Sequence, residues 1–351
     1  MYKIGIIGLG RMASLFEEDV LMKRPCTHAG AYAHIKKTKI IAGCDIRKDR
    51  LNKFSKMWGV KSLYEDYKKM LKNEDLDIVS LCTHAQDRYE MTIDVAESGV
   101  KAIFCEKPFS TNLKNAEKII KVCNKNDVIL YVDHTRRWDL GWKTVKKIIE
   151  ADEIGDIKVL NGFSTAGLLN GGTHLFDILR FYNGDVDWID AKLKRDESTD
   201  PNGSGFIKFK NSSFGFIDVD FRDYVLFGLD IVGSKGMIKC GGMIRGDKNF
   251  ELWGSMPSPT QTGLLELKQK EFPVVNGEMP LVNAINDIIE SIENGKPPLC
   301  SGEDGRAALE IALAFHESDR LNKKIKLPLR NKKLTVIPRE TSFTKDGKLR
   351  C

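Results

Sequence analysis

Apolar and polar positions in the first part of the chain follow two alternating rhythms. Short, nearly continuous apolar runs occur at Lys3–Gly8, Lys39–Cys44, Asp77–Cys82, Ala102–Cys105 and Val128–Val132. Between them lie stretches of helical period at Lys48–Trp58, Tyr64–Leu71, Tyr89–Ser98 and Leu113–Asn124, and a further helical pattern is expected from Met12. Leu113, Ala116, Ile119, Ile120 and Cys123 share one stripe while Lys114, Glu117, Lys118 and Lys121 occupy the other, as in a helix with one buried face. Strands apolar on both faces and alternating with helices predict a doubly wound parallel sheet covered on both sides.

Past about residue 134 the rhythm changes. A helix at Trp142–Glu150 leads to a strand at Ile157–Phe163, a Gly-rich turn and a helix at Asn170–Tyr182. Alternating or aromatic runs follow at Trp188–Leu193, Gly205–Phe209, Ser213–Phe221, Phe227–Val232 and Met237–Cys240, with turn pairs Asn202-Gly203 and Gly241-Gly242 among them. They predict an open, mostly antiparallel sheet in an α+β domain, closed by helices at Leu281–Glu293 and Gly302–Leu321. Phe214, Phe216, Val219 and Phe221 suit either a packed core or a sheet face paired with a second copy.

The composition of the 351 residues, 42% hydrophobic and 30% charged, excludes disordered, collagen-like and coiled-coil classes. No apolar run approaches the roughly 18 residues of a membrane span. The first residues enter a strand without a small-residue cleavage site, so a cytoplasmic protein without a leader or membrane partner is expected. The net charge of +6 is concentrated at one end, where eleven basic and two acidic residues lie between Arg320 and Cys351. A nucleic-acid reader would carry its basic face on the folded body. Here residues 330–351 read as a basic extension, either a solvated tail or an assembly arm. The eight cysteines show no Cys-x-x-Cys pair and no zinc spacing. Cys44, Cys82 and Cys105 lie in strand-like runs as small hydrophobes, and no metal site is expected.

Gly8-Leu9-Gly10-Arg11-Met12-Ala13 is a G-x-G-x-x-A turn between a strand and an expected helix, the context that gives this pattern meaning. Gly8 permits the tight turn, Gly10 lets a pyrophosphate approach, and Ala13 allows close packing, with Arg11 and Met12 alongside. Asp45, ending the second strand, would accept the adenosine ribose hydroxyls, with Arg50 nearby. An acid at this position favours NAD, although Arg47 leaves NADP as an alternative. The expected division is a dinucleotide-binding domain over residues 1–133, a substrate and assembly domain over 134–329, and the extension beyond.

Glu106-Lys107-Pro108 after the fourth strand, with the glycine turn, resembles the glucose–fructose oxidoreductase/inositol dehydrogenase/MocA (Gfo/Idh/MocA) family. The resemblance runs to about Leu329 through Cys82-Thr83, Arg136-Arg137-Trp138, Ile154-Gly155-Asp156-Ile157, Val232-Gly233-Ser234-Lys235-Gly236 and Ser301-Gly302-Glu303-Asp304-Gly305. It implies that Lys107, before an often cis proline, hydrogen-bonds the reacting hydroxyl and helps move its proton. Glu106, Cys82, Thr83 and His84 would line the cofactor site. Proton transfer near neutrality asks that the Lys107 pKa fall from ~10.4 towards 7–8, which burial beside NAD⁺ would favour. The family's Asp-x-x-x-His corresponds to Asn170-Gly171-Gly172-Thr173-His174. A rival register pairing Asp177 with Phe181 leaves no proton carrier. The chain therefore carries Asn170 in place of an aspartate, and an amide accepts no proton at neutral pH. His84 and Arg88 replace a proline and a histidine. Arg137 is a candidate for an acidic substrate group or for pairing with carboxylates.

These residues imply an NAD(P)-dependent dehydrogenase of a sugar, cyclitol or nucleotide sugar. Lys107 and His174 would act as acid and base, Arg137 and Asn170 would contact substrate, and the chain would assemble as a homodimer or homotetramer. The alternatives are an NAD-dependent glycosidase or elimination enzyme of the same fold, or a non-catalytic dinucleotide-binding regulator.

Overall fold

The early apolar runs become strands of one parallel sheet in a computed structural model of the chain. It describes residues 1–194, 200–220, 222, 224–241 and 249–339, with short strands at 342–343 and 349–350. Phe221 and Gly242 lie outside the described residues. The strands are β1 (Tyr2–Ile7), β2 (Thr38–Cys44), β3 (Ser62–Tyr64), β4 (Ile78–Leu81), β5 (Ala102–Cys105) and β6 (Ile129–Val132). Their spatial order is β3-β2-β1-β4-β5-β6, with every pairing parallel. The order reverses beside β1, so the loops after β1 and β4 open a crevice at the carboxyl ends of the strands. β3 escapes the pattern argument because it is three residues long and half-buried.

Helices α1 (His28–His34), α2 (Lys48–Trp58), α3 (Tyr67–Asn73), α4 (Arg88–Ala96) and α5 (Leu113–Lys125) connect these strands. In α5, Leu113, Ala116, Ile119, Val122 and Cys123 are buried. The Asn112 side chain accepts the Asn115 N–H at 2.8 Å and starts the helix there.

The helix expected from Met12 is not a regular one. Gly10 O accepts from both Ser14 and Leu15, a 3₁₀ turn spans Leu15–Glu18, and α1 begins only at His28. The intervening loop is held by Glu17, whose carboxylate accepts from Cys26 N and Thr27 Oγ1.

The chain divides into two units, Met1–Asp139 with Glu278–Arg306, and Leu140–Gly277 with Ala307–Cys351. This differs from the division expected in chain order. Helix Pro280–Asn294 belongs with the first unit because its residues complete that core. Tyr131 Oη donates to Asp287 O at 3.0 Å, and Trp138 Nε1 donates to Asp287 Oδ2 at 3.2 Å.

The second unit contains α6 (Leu140–Glu150), β7 (Ile157–Ser164), α7 (Gly172–Asn183), β8 (Val186–Leu193), β9 (Gly203–Phe209) and β10 (Phe214–Val219). It continues with β11 (Phe227–Gly233), β12 (Gly236–Gly241), β13 (Phe250–Pro257), β14 (Leu265–Lys270) and β15 (Ile325–Lys326). Their order is β14-β13-β12-β11-β7-β10-β9-β8-β15, antiparallel except between β7 and β10 among the pairs described. The inner face buries Ile189, Ile207, Ile217 and Val219, and Leu175 of α7 approaches Gly162 of β7. The outer face carries Phe206 and Phe214, 57% and 44% exposed, so Phe214 is not a core residue.

The basic extension is not wholly a solvated tail. Arg330, Lys332 and Lys333 are exposed, but Val336 is buried and Arg339 is hydrogen-bonded within the second unit.

Candidate active site

The residues singled out in the first half of the sequence converge at the carboxyl ends of β1, β2, β4 and β5. Gly8 has φ +84°, and a Cβ there would lie 2.9 Å from the Cys82 carbonyl and the Thr83 side chain. Only glycine fits this conformation and this approach. At Gly10 the surroundings are open: a Cβ would meet only Arg50 Nη1, at 3.8 Å. The turn therefore has the two properties expected of a pyrophosphate cradle, although no long helix begins at its edge. Arg11 lies over the Phe16 ring at 5.3 Å from its centroid, and Met12 O accepts from His28 N at 3.0 Å.

Asp45 is buried and fixed by the main chain. Its Oδ2 accepts from Leu9 N at 2.7 Å and its Oδ1 from Arg47 N at 2.9 Å, while Arg50 Nη1 lies 3.4 Å from Oδ2. Each carboxylate oxygen has two lone pairs, so acceptor capacity remains for ribose hydroxyls. The Arg47 guanidinium forks onto Asp49 at 2.6 and 3.1 Å and is engaged there. Its engagement with Asp49 weakens the argument for a 2′-phosphate partner. The glycine turn and Asp45 thus fit a dinucleotide, which supplies a hydride acceptor when bound.

Glu106 and Lys107 follow β5, and the Lys107–Pro108 peptide is cis. Arg88, buried at the start of α4, donates through Nη1 to Glu106 O at 2.7 Å and to Pro108 O at 2.5 Å, and through Nη2 to Thr83 O. One guanidinium thus ties the residues after β4 to the Glu-Lys-Pro turn. Burial is the largest influence on Lys107, and with the Arg88 and Arg136 charges it lowers the amine pKa to about 8 against the opposing pull of Glu106 and Asp133. His84 is exposed, and Cys82 and Thr83 are half-buried beside the glycine turn. Burial pushes the Cys82 thiol up, so it remains neutral near pH 7.

Behind Glu106 lies a polar cluster that sequence reasoning missed. His28 Nε2 is 3.4 Å from both Glu106 Oε1 and Asp133 Oδ2, and all three residues are buried. The His28 ring packs on Phe104 at 4.6 Å between centroids, and its Nδ1 meets Ser80 Oγ at 3.1 Å. Burial opposes charge on His28, but the Asp133 and Glu106 carboxylates beside it prevail and hold its pKa well above the usual value. Burial also works against a charged Glu106, yet His28, Lys107 and Arg88 keep it below the ordinary range, whereas burial raises Asp133. Only a histidine beginning a short helix marked this cluster in the sequence, and its partners lie 78 and 105 residues away.

Arg137 makes a carboxylate pair, one of the two partners its sequence context offered. It is buried, donating to Leu299 O at 2.7 Å and to Asp304 Oδ1 at 3.0 Å.

Asn170 and His174 belong to the second unit, and both are half-buried. The α-helix has not begun at Asn170. Residues Gly167–Gly171 form a π turn, in which Gly171 N donates to Ala166 O at 2.8 Å, and α7 starts at Gly172. The turn enters with Ala166 and Gly167 both at positive φ. Downstream, Asp177 is buried and Arg180 pairs with Asp185 at 2.9 Å.

A parallel sheet with its order reversal beside β1, a glycine turn of this shape and an acid ending β2 define an NAD-binding oxidoreductase fold. Residues 2–134 match the Gfo/Idh/MocA model described as an oxidoreductase family with an NAD-binding Rossmann fold, and residues 158–327 match that family's C-terminal alpha/beta domain. The chain belongs to this family of NAD-binding oxidoreductases. It is 27% identical to a myo-inositol 2-dehydrogenase of Thermotoga maritima over 351 aligned positions, covering 93% of this chain and 98% of the relative. A crystal structure of a probable dehydrogenase from Thermotoga maritima superposes with a TM-score of 0.73 at 25% identity, covering 93% and 98% of the two chains. The fold is also that of a scyllo-inositol dehydrogenase from Lactobacillus casei with bound NAD(H) and scyllo-inositol, at 19% identity, TM-score 0.72 and 93% and 99% coverage. Among the described residues, no helix is long and apolar enough to cross a membrane.

Proposed function

We propose that this oxidoreductase oxidises a secondary hydroxyl of a cyclitol or sugar to the ketone while NAD⁺ is reduced to NADH, with Lys107 as the group that takes the hydroxyl proton. The observation carrying this reading is Lys107 itself, a lysine at the carboxyl end of β5 with its pKa lowered to about 8. A neutral amine is available near physiological pH, and its proton affinity suits transfer in either direction. Arg88 holds the turn that presents the lysine. Asp45 and the glycine turn bind the dinucleotide, with Arg11, Met12, Arg50, Cys82, Thr83, His84 and Glu106 around the same crevice.

His174 serves as a second acid–base group and Asn170 as a hydrogen-bonding group for substrate hydroxyls. The inositol dehydrogenases among the relatives support a polyhydroxylated ring as substrate. The exposed Phe206 and Phe214, beside Phe216, support face-to-face pairing of the large sheet in a homodimer or homotetramer.

The test is absorbance at 340 nm when the protein is mixed with NAD⁺ and a panel of inositols, sugars and nucleotide sugars. Net NADH with a cyclitol or sugar is expected. Glycoside cleavage without net NADH would instead assign a transient oxidation.

A further inference from the structure

The family's aspartate is replaced by Asn170, and the structure contains a feature that makes the amide the fitting residue. Asn170 Nδ2 donates to the main-chain carbonyl of Arg339 at 3.1 Å. The Arg339 N–H in turn donates to Asp200 Oδ2 at 3.3 Å. Asp200 is fully buried, and its carboxylate also accepts the Leu169 N–H, at 3.0 and 3.2 Å. One buried carboxylate therefore joins two main-chain segments, the turn that carries Asn170 and the chain after Leu329. Gly167 enters that turn at φ +70°, and a Cβ there would lie 2.5 Å from Asp200 Oδ2. Val336, 5% exposed, seats the same segment by burying its side chain.

We propose that residues 330–339 form a clasp on the Asn170 turn, and that asparagine stands at position 170 because the clasp presents it with a carbonyl oxygen. An amide can donate to a carbonyl, whereas an ionised carboxylate at the same place is acceptor-only and faces the oxygen with like partial charge. The clasp lies beyond residue 327, where the matched family domain ends. The asparagine and the segment that receives its hydrogen bond are thus local features that fit each other. His174 lies four residues after Asn170, so the clasp holds the start of the segment that carries the second acid–base group. The clasp acts through Asn170 and is a positioning element. Its effect on turnover rests on the substrate reading above, but the clasp itself does not.

Hydrogen–deuterium exchange of the full-length protein without substrate tests the clasp. Asn170→Asp should speed exchange of the amides in 330–339 by about tenfold or more, since losing a hydrogen bond to a charged mismatch is worth at least that factor. Arg339→Pro, which removes the N–H held by Asp200, should loosen the same amides. In the double variant, Asn170→Asp should add little further loosening, because the mismatch has already been relieved. Unchanged exchange of 330–339 in Asn170→Asp, or equal loosening by that substitution with and without Arg339→Pro, overturns the clasp. KM and kcat of the same variants address the other reading separately. Clasp loosening with unchanged KM and kcat would remove Asn170 from the substrate site and leave the clasp standing. A raised KM restored by nothing but asparagine supports both.

Discussion

Arg88 offers a sharp test of how the site sets the proton affinity of Lys107. In the direction of alcohol oxidation the lysine must be neutral, so activity is lost as pH falls through its pKa. The acid limb of kcat/KM is therefore expected near pH 8, with roughly tenfold loss per unit below it. If the pKa stood at its ordinary 10.5 instead of about 8, the neutral fraction at pH 7 would drop from about one in ten to about one in three thousand. Burial provides the largest part of that difference, and Arg88 is the leading charge acting in the same direction. Replacing Arg88 by Gln removes the charge but retains an amide donor. The limb should then move up by about half a unit to one unit, lowering kcat/KM at pH 7 roughly three- to tenfold and much less on the alkaline plateau.

Arg88→Lys separates charge from shape. The charge stays, but an ammonium lacks the planar fork that reaches Thr83, Glu106 and Pro108. The limb should remain near its wild-type position, while each carbonyl left without a donor costs about 1–3 kcal/mol in urea unfolding. The assay is initial-rate NADH formation from pH 6 to 10 with the best substrate of the panel, alongside Lys107→Met. An acid limb that stays in place in Arg88→Gln would show that the guanidinium does not tune the lysine. A limb near pH 8 that persists in Lys107→Met would remove the lysine as its source.

Asp45→Ala should weaken NAD binding and narrow its preference over NADP, read by fluorescence titration of both nucleotides; tighter NADP than NAD binding in wild type would refute the ribose role. His28→Gln leaves two buried carboxylates without their shared cation and should cost about 3–5 kcal/mol in urea unfolding, and adding Asp133→Asn should recover much of it; no recovery would reduce His28 to a packing role. Because the His28 pKa is raised on folding, its stabilising contribution is complete below the unfolded value near 6.5 and is lost as pH rises through the folded value, which unfolding at several pH values will show. His174→Ala should lower kcat by about 10²–10⁴-fold with NAD affinity retained. Phe206→Glu should lower the assembly mass in light scattering if the outer sheet face pairs copies, and an unchanged mass would place the interface elsewhere.

The pattern of the sequence by itself determined the two sheets, because strand and helix periods are local properties that burial enforces residue by residue. The glycine turn was equally readable, since Gly8 and Gly10 answer to backbone sterics within one loop. Lys107 was visible from its position after a strand and from its motif. What tertiary structure decided were the residues whose meaning depends on distant partners. The helix anticipated at Met12 is broken by a loop that Glu17 ties down, a hydrogen-bonding choice with no periodic signature. Arg137 has partners, Leu299 and Asp304, that lie more than 160 residues further along the chain and that only folding brings to it. His28 was invisible because a buried charge is assigned by three-dimensional neighbours, here Glu106 and Asp133, and not by spacing along the chain. Asn170 read in the sequence as a departure from a family pattern. In the fold it is an amide matched to the Arg339 carbonyl, because a hydrogen-bond donor is chosen by the acceptor that folding brings to it.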